Sequence, residues 1–394
     1  MTEVKRMIFH IIANAALGAG LSGGDRIFME CARRWAEAGH RVYLYVWEEG
    51  YEMCKRNKLD NVKYVKWSAS RFTRFGFFIS YLTRTTKGCA QVFKLSFNTN
   101  ENNIVYSASD FWPDLLPALI LKLRFRDRIK WIPGFYLLVP NPFRKDSFYV
   151  GVRRLKAILY YISQKSSYPL VMRYADMVFV TNDLDRCRFV NKRLKPSKVI
   201  AVKGGIDVKT PSLVPAQKTK TYDAIFIGRL CLEKGVRELI DIWKHVCDRK
   251  KKAKLALLGE GPLEAEIIDK IAKCKLKNNV ELFGFVDGIE KFQIIKKSRI
   301  VVHPSIIDSG GMAACEAMAC GLPGVSFDIP ALRSYYPKGM IKTPCGNLEG
   351  FAENILKLLN ESDLYQKMSK EALDWAREWD WDKRAKELLK AIIN

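Results

Sequence analysis

Short apolar segments alternate with amphipathic ones along the first half of the chain. The apolar segment 7–13 precedes a loop of small residues, 15–24, and a helical pattern over 25–38, and a second apolar segment follows at 41–47. This strand–helix–strand order predicts parallel strands joined by a right-handed crossover. Further strands are predicted at 104–107, 130–132, 177–181 and 198–202. Residues 1–205 are therefore predicted to form a doubly wound α/β domain.

The same pattern starts again after residue 221. Residues 206–221 are rich in Pro, Lys, Ser and Thr and lack apolar periodicity, which predicts a linker. Strands are then predicted at 224–227, 254–258, 280–283, 300–303 and 324–327. The fold class is thus α/β, with two Rossmann-like doubly wound domains. The second covers 222–375, and a C-terminal helix, 376–394, is expected to pack back on the first.

The composition fits such a fold and favours one cellular compartment. Of 394 residues, 48% are hydrophobic and 27% charged, which is typical of a folded protein with two domains. The N-terminus lacks the apolar stretch of a signal peptide, and no apolar run reaches the roughly 18 residues of a spanning helix, so we expect a soluble or peripheral protein. Ten cysteines without paired spacing and four histidines favour reduced thiols in the cytoplasm over a zinc cluster.

The charge of the chain points to an anionic partner. Lys and Arg number 66 against 42 Asp and Glu, a net charge of +24. Such an excess shapes the potential over much of the surface. Nucleic acid, an anionic membrane and phosphorylated substrates all satisfy it, and charge alone does not choose among them.

Two cations stand where a predicted strand of the second domain meets a helix. Arg229 follows Gly228 at the strand end, and Lys234 comes just before the helical pattern. Because the carboxyl ends of parallel strands line a ligand crevice, we expect both side chains there. Arg can hold phosphate oxygens in a fork, and Lys adds a point charge. The alternative is a basic turn on a basic protein.

The next two strand ends carry glycine turns. Gly259 and Gly261 follow one strand, and the segment 283–286, which ends in Val286, follows the other. Each glycine either lets the backbone approach a ligand or simply turns the chain, and the turn is the favoured interpretation for one glycine alone. The segment 283–286 either covers a base with its amides and apolar face or is an ordinary strand end.

Two acids separated by seven residues form the sharpest chemical pattern. Asp308 lies in a loop, and Glu316 lies inside a helix that is expected to begin near Gly311. The amides of Gly310, Gly311 and Met312 would be free to meet an anion, and Glu316 would accept hydrogen bonds from sugar hydroxyls. The alternatives are a helix cap for Asp308 and a buried salt bridge for Glu316.

These motifs together resemble the donor site of the GT-B retaining glycosyltransferases of family 4. Residues 304–323 contain Pro-Ser, an acid, seven residues that begin with a glycine-rich turn, and then Glu-Ala-Met-Ala-Cys-Gly-Leu-Pro. The resemblance includes Gly23-Gly24, the Gly-Arg-Leu and Lys-Gly pair, Gly-Glu-Gly-Pro and the Trp-bearing terminal helix, so it covers almost the whole chain. It implies a GT-B fold, in which the two domains face a cleft, and sugar transfer with retention, generally without a bound metal.

The resemblance also implies roles for individual residues. Arg229 and Lys234 would neutralise the donor diphosphate, and Glu316 would bind the ribose hydroxyls. Asp308 would hold the donor sugar together with the glycine amides that follow it. Gly23 and Gly24 would lie over the diphosphate from the first domain. Charge compensation on the leaving diphosphate is then the main catalytic contribution.

The chain departs from the family pattern at two places. Asp308 stands where the family usually has Glu, which shortens the reach by one methylene. Family members commonly place His after the fourth strand of the first domain, but 106–112 contains none. His10 and His40 lie near other strands and are interpreted as structural. Asp110 is our candidate for an acceptor or sugar contact, with a helix cap as the alternative.

The complete set of expected site residues follows. The predicted catalytic residues are Arg229, Lys234, Asp308 and Asp110. The predicted substrate-binding residues are Gly23, Gly24, Gly228, Gly261, Val286, Ser309, Gly310, Gly311, Met312 and Glu316. No metal and no cofactor beyond the donor are expected, since no Asp-x-Asp pair stands in a suitable loop.

Basic and aromatic residues are interleaved in the first domain at 71–78, 143–145 and 153–161. This suits anionic lipid head groups, while the alternatives are a solvated basic face and single-stranded nucleic acid, for which no recognition motif is present. The expected function is retaining transfer from a UDP-sugar, or a GDP-sugar, to a membrane lipid or lipid-linked glycan at the cytoplasmic face. The alternatives are a non-catalytic nucleotide-sugar- or nucleic-acid-binding protein of the same fold, an epimerase, and a glycogen-synthase-like polymerase.

Overall fold

A computed structural model describes residues 6–16, 22–67, 75–98, 101–144, 147, 149, 151–215, 217 and 219–393. The chain forms two compact units. The first is Met1–Val202 with Arg384–Asn394, and the second is Lys203–Lys383. The predicted linker 206–221 lies within the second unit, where Ile206 and Val214 are part of the hydrophobic core.

The first unit is built on a parallel sheet. Its strands are β1 (Met7–Ile12), β2 (Arg41–Val46), β3 (Lys63–Lys66), β4 (Asn102–Ser107), β5 (Ile129–Phe135), β6 (Val178–Val180) and β7 (Val199–Ala201). They lie in the order β3-β2-β1-β4-β5-β6-β7. The chain therefore runs outward from β1 to one side and from β4 to the other, and the order reverses between these two strands.

Amphipathic helices cover this first sheet. They are α1 (Gly23–Glu37), α2 (Glu48–Arg56), α3 (Phe77–Gln91), α4 (Trp112–Phe125), α5 (Gly151–Tyr174) and α6 (Asp183–Phe189). α1 buries Phe28, Cys31 and Trp35 at helical spacing, and the Trp35 ring stacks on Phe9 of β1 with centroids 4.3 Å apart. This packing fixes the face that α1 presents to the sheet.

The second unit repeats the architecture. Its strands are β8 (Tyr222–Ile227), β9 (Leu255–Leu258), β10 (Val280–Gly284), β11 (Ser298–His303), β12 (Gly324–Phe327) and β13 (Met340–Thr343). The order is β10-β9-β8-β11-β12-β13, again parallel throughout. Its helices are α7 (Thr210–Leu213), α8 (Val236–Arg249), α9 (Glu264–Lys273), α10 (Gly288–Lys296), α11 (Met312–Met318), α12 (Pro330–Tyr335), α13 (Leu348–Asn360) and α14 (Ser362–Arg377), followed by α15 (Trp381–Ile393).

The prediction of two doubly wound α/β domains is confirmed. The sequence patterns missed β3 and β13, because both are four-residue edge strands with at most two consecutive strongly apolar or aromatic residues: lysines flank β3, and Lys342 interrupts β13. The expected loop position of Gly23 and Gly24 is wrong. Both lie in the first turn of α1, because the Ser22 side chain caps the backbone N–H of Asp25 and starts the helix earlier. Among the described helices, none has the length and apolar content that a membrane span requires.

Candidate functional site

The chemistry predicted for the second unit gathers at the point where its strand order reverses. β8 and β11 are neighbours, and the chain continues outward from them in opposite directions. Arg229 and Lys234 follow the carboxyl end of β8, and Asp308 follows that of β11. In open α/β sheets, ligands bind outside the strand ends at such a switch point. The topology therefore brings these three predicted residues to one edge.

Asp308 and Lys234 form a direct ion pair. Lys234 Nζ lies 2.6 Å from Asp308 Oδ2, and His303 Nε2 lies 2.8 Å from the same oxygen. The Asp308 and His303 side chains are almost fully buried, whereas the Lys234 side chain is 26% exposed. The cation thus has one side on the carboxylate and one side open to solvent.

The local charges decide the protonation of this cluster. Burial alone would raise the pKa of Asp308, but Lys234 and His303 outweigh it and hold that pKa well below its usual value. Burial lowers the pKa of His303, and Asp308 offsets only part of the effect. An ionised carboxylate only accepts hydrogen bonds, so the hydrogen of neutral His303 lies on Nε2.

A glycine makes this ion pair sterically possible. Gly235 has φ +63°, and a Cβ there would lie 1.9 Å from the carbonyl oxygen of Pro304. The two loops are also joined by hydrogen bonds, since Ile306 N and Ile307 N donate to Glu233 O at 3.0 and 3.1 Å. Only glycine permits this close approach, which brings Lys234 within reach of Asp308.

The prediction that the amides of Gly310 and Gly311 are free to meet an anion is wrong. Both donate to Asp308 Oδ1 at 3.0 Å. The short Asp side chain folds back onto its own backbone, as Asp does in Asx turns. Gly311, at φ +46°, precedes α11, which begins at Met312 as predicted. The adjacent Ser309 is partly buried.

The glycine turns after β8 and β9 pack on one another. A Cβ on Gly259 would lie 1.9 Å from the Gly228 carbonyl oxygen, and one on Gly261 would lie 2.4 Å from the Leu230 carbonyl oxygen. The close contact of the two backbones thus accounts for the glycines at 259 and 261. Arg229 lies in the turn after β8 and is exposed to solvent, and no carboxylate within the described ranges pairs with it.

Glu316 is buried inside α11 and is paired with a lysine. Lys291 Nζ lies 3.0 Å from Glu316 Oε1 and 2.7 Å from Asp287 Oδ1. The lysine and Glu316 side chains are 6% and 4% exposed. The buried salt bridge, the alternative for Glu316, is therefore present, and it can coexist with a further hydrogen-bonding role of the carboxylate.

The predicted residues Val286 and Met312 lie in the loop after β10 and at the start of α11. Val286 and Met312 are partly buried against the core, and Met312 packs against Gly204. Phe285, next to Val286, is 60% exposed, and its backbone N–H donates to Glu260 Oε1 at 3.2 Å. The loop after β10 therefore presents an aromatic ring to solvent.

The predicted residues of the first unit lie near its own switch point. Asp110 is buried after β4, accepts a 2.6 Å hydrogen bond from Gln164, and burial raises its pKa to about 6. It does not cap α4, whose N-cap is Phe111. Gly24 lies against the Tyr136 ring, where an added Cβ would meet the ring at 3.2 Å. Residues 17–21 of the small-residue loop lie outside the described residues.

His303 and Lys291 are missing from the predicted site. His303 ends a predicted strand five residues before Asp308, so a histidine at a strand end beside a loop acid was an available signal. No sequence signal pointed to Lys291, because nothing in its helical segment distinguishes it from surface lysines. The interpretation of His10 as structural agrees with its buried contacts to Tyr45 and Asn103.

Comparison with known proteins finds a family model that matches most of the second unit. Residues 213–375 match the family model "Glycosyl transferases group 1". The gpi3 subunit of phosphatidylinositol N-acetylglucosaminyltransferase from Schizosaccharomyces pombe is 22% identical over 43% of this chain and 37% of the relative. An uncharacterized glycosyltransferase of Methanocaldococcus jannaschii is 29% identical over 41% of this chain and 42% of the relative. The matches thus span about two fifths of these curated relatives.

A solved structure resembles nearly the whole chain. HepE from Anabaena, crystallised with UDP-glucose, gives a TM-score of 0.75 at 13% identity over 98% of this chain and 100% of that one. At this identity the likeness shows the fold. Residues 213–375, less than half of the chain, thus match the model of the glycosyl transferases group 1 family, and the chain as a whole has the GT-B fold of these structural neighbours.

Proposed function

We propose that this protein is a retaining glycosyltransferase that uses a nucleoside diphosphate sugar, with uridine favoured as the base. The observation that carries the proposal is the pair Arg229 and Lys234 at the switch point of a glycosyl transferases group 1 domain. The HepE complex with UDP-glucose supports uridine, because it shows this fold binding that donor.

The two cations provide positive charge that stabilises a departing diphosphate. Arg229 is exposed at the strand end, and Lys234 keeps an open side next to Asp308. Positive charge fixed where negative charge develops lowers the barrier for breaking the bond to the sugar. Because Arg and Lys supply this charge, we propose that the reaction needs no metal.

The acids have complementary roles in the proposal. Glu316 accepts hydrogen bonds from the ribose hydroxyls, and Asp308 contacts a hydroxyl of the donor sugar directly or through water. Asp308 also holds Lys234 in place at 2.6 Å. In the first unit, Asp110 is the proposed contact for the acceptor or sugar.

We propose a membrane lipid or a lipid-linked glycan as the acceptor. The name of the Schizosaccharomyces pombe relative gives phosphatidylinositol as what that protein acts on. In this chain, α3 and α5 expose apolar side chains next to cations: Phe78 and Leu155 are 40% and 54% exposed, and Lys156 lies over the Phe77 ring at 4.8 Å. Such a surface suits anionic head groups.

The proposed location is the cytoplasmic face of that membrane. All ten cysteines are free thiols, which fits a reducing compartment. Residues 71–74 and Lys145 of the predicted basic-aromatic segments lie outside the described residues. The structural support for a membrane contact therefore comes from α3 and α5.

A transfer assay tests the proposal. The purified chain is incubated with UDP- and GDP-sugars and with extracted lipid acceptors, and the released nucleoside diphosphate and the anomeric configuration of the product are measured. We expect UDP release that depends on the acceptor and a product with the anomeric configuration of the donor. UDP binding without transfer to any acceptor would instead favour the non-catalytic alternative.

A further inference from the structure

A buried lysine joins two loops of the second unit. Lys291 lies in α10 and is 5% exposed. Its ammonium contacts Asp287, which precedes that helix, at 2.7 Å and Glu316 of α11 at 3.0 Å. The Phe292 ring centroid lies 5.1 Å from the same nitrogen. Lys291 therefore links the loop after β10 to the acid inside α11.

Such an arrangement is costly as a mere structural element. Removing two charges from water costs several kcal/mol for each ion, and a well-packed apolar pair often serves stability equally well. Lysine is almost never fully buried unless it is paired. A buried Lys–Glu pair beside a predicted ligand site is therefore better explained by what the carboxylate does there.

A carboxylate that is paired with a lysine can accept further hydrogen bonds. A carboxylate has about four acceptor positions, and the bond from Lys291 to Oε1 uses one of them. The ammonium compensates the charge of Glu316 and fixes the rotation of its carboxylate. A fixed carboxylate loses little entropy when hydroxyl groups of a ligand bind to it.

We propose that Lys291 is a positioning residue that orients Glu316 for the ribose hydroxyls of the nucleotide and thereby sets the preference for ribose over deoxyribose. The inference rests on the proposed function, in which Glu316 binds the ribose. Through Asp287, the same lysine couples the loop after β10, which carries exposed Phe285, to this acid.

Calorimetric titration with UDP and with 2′-deoxy-UDP tests the role of Lys291. A hydrogen bond to a charged group corresponds to about tenfold in affinity, so the unaltered chain should prefer UDP by about tenfold. In Lys291→Met the preference should fall to within about twofold, and Lys291→Arg should restore most of it. Lys270→Met is the matched control, because Lys270 pairs with Asp241 on the partly exposed surface of the same unit. It should keep the full preference.

Lys291→Gln covers the case in which Lys291→Met does not fold, since it keeps an N–H donor without the charge. Its preference should fall to about threefold. A folded Lys291→Met or Lys291→Gln variant that keeps the tenfold preference overturns the role of Lys291.

The failure of the proposed function has a different signature. If the unaltered chain discriminates and Glu316→Gln discriminates equally well, the ribose role of Glu316 is wrong, and so is the role of Lys291. If the unaltered chain does not bind UDP, the proposed donor fails, and the Lys291 inference fails with it.

Discussion

Asp308 accepts hydrogen bonds from groups in three segments of the second unit. Lys234 and His303 donate to one oxygen, and the two glycine amides donate to the other. Each donor favours the ionised form, which explains why the pKa stays low in spite of burial. A side chain held in this way is rigid, and it positions Lys234.

Asp308→Asn should reduce the free energy of unfolding by about 2 kcal/mol, because it leaves Lys234 and the His303 N–H facing an amide group. Because the pKa of Asp308 is lower in the folded protein, the full contribution is present above the pKa of the unfolded chain, about 3.9. The contribution is lost as the pH falls from there through the pKa of the folded protein. Urea unfolding at several pH values measures it. The difference from the unaltered chain should be constant from about pH 8 to 5 and shrink below about pH 4.

Asp241→Asn is the control for this measurement. It breaks a partly exposed ion pair in the same unit and should cost under about 1 kcal/mol. Equal losses in the two variants would contradict the special role of the Asp308 cluster.

The loops at the carboxyl ends of β8, β9 and β11 are shaped by contacts between backbones. Gly235, Gly259 and Gly261 each lie where a side chain would strike a carbonyl oxygen of a neighbouring loop. The three loops therefore pack against one another, and Arg229 and Lys234 belong to the loop after β8. The position of the cations depends on the glycines.

Gly235→Ala and Gly288→Ala form a matched pair. Both residues have almost the same positive φ, +63° and +64°. An added Cβ would strike another atom, the Pro304 carbonyl oxygen, at Gly235 but not at Gly288. Gly288→Ala should cost about 1 kcal/mol for the left-handed backbone. Gly235→Ala should cost at least about 2 kcal/mol more in urea unfolding and weaken UDP binding, because Lys234 moves away from Asp308. Equal costs would show that the loops adjust without strain.

The sequence predicted the elements better than the contacts within the site. Strand–helix alternation placed Arg229, Lys234 and Asp308 after the carboxyl ends of strands, because parallel topology alone brings strand ends to one edge. The capture of the glycine amides by Asp308 could not be predicted, since it depends on whether a short side chain turns back to its own loop. The pairing of Lys291 with Glu316 depends on how α10 packs, which no local pattern encodes.

At the scale of the whole molecule, the net charge of +24 and the exposed apolar residues of α3 and α5 suggest a common partner. In the proposed membrane contact, cations would attract the protein to an anionic bilayer within a Debye length, and apolar side chains would then enter the interface. Neither effect alone gives stable binding.

Liposome flotation tests this membrane surface. The unaltered chain should float with vesicles that contain anionic lipid, should float much less with neutral vesicles, and should be released by high salt. The double variant Phe78→Ser and Leu155→Ser should reduce flotation about tenfold, since it removes two exposed apolar anchors. Ile268→Ser, at an exposed position of the second unit, is the control. Equal flotation with neutral and anionic vesicles would contradict the proposal.

The most direct test of the central claim is calorimetric titration of UDP into the unaltered chain, Arg229→Met and Arg237→Met. Arg237 pairs with Glu266 on the surface of the same unit and serves as the control. If Arg229 binds the diphosphate, the unaltered chain and Arg237→Met should bind UDP equally, and Arg229→Met should bind it at least about tenfold more weakly. Equal affinity of all three proteins, or no binding by the unaltered chain, would contradict a donor site at the switch point of the second unit.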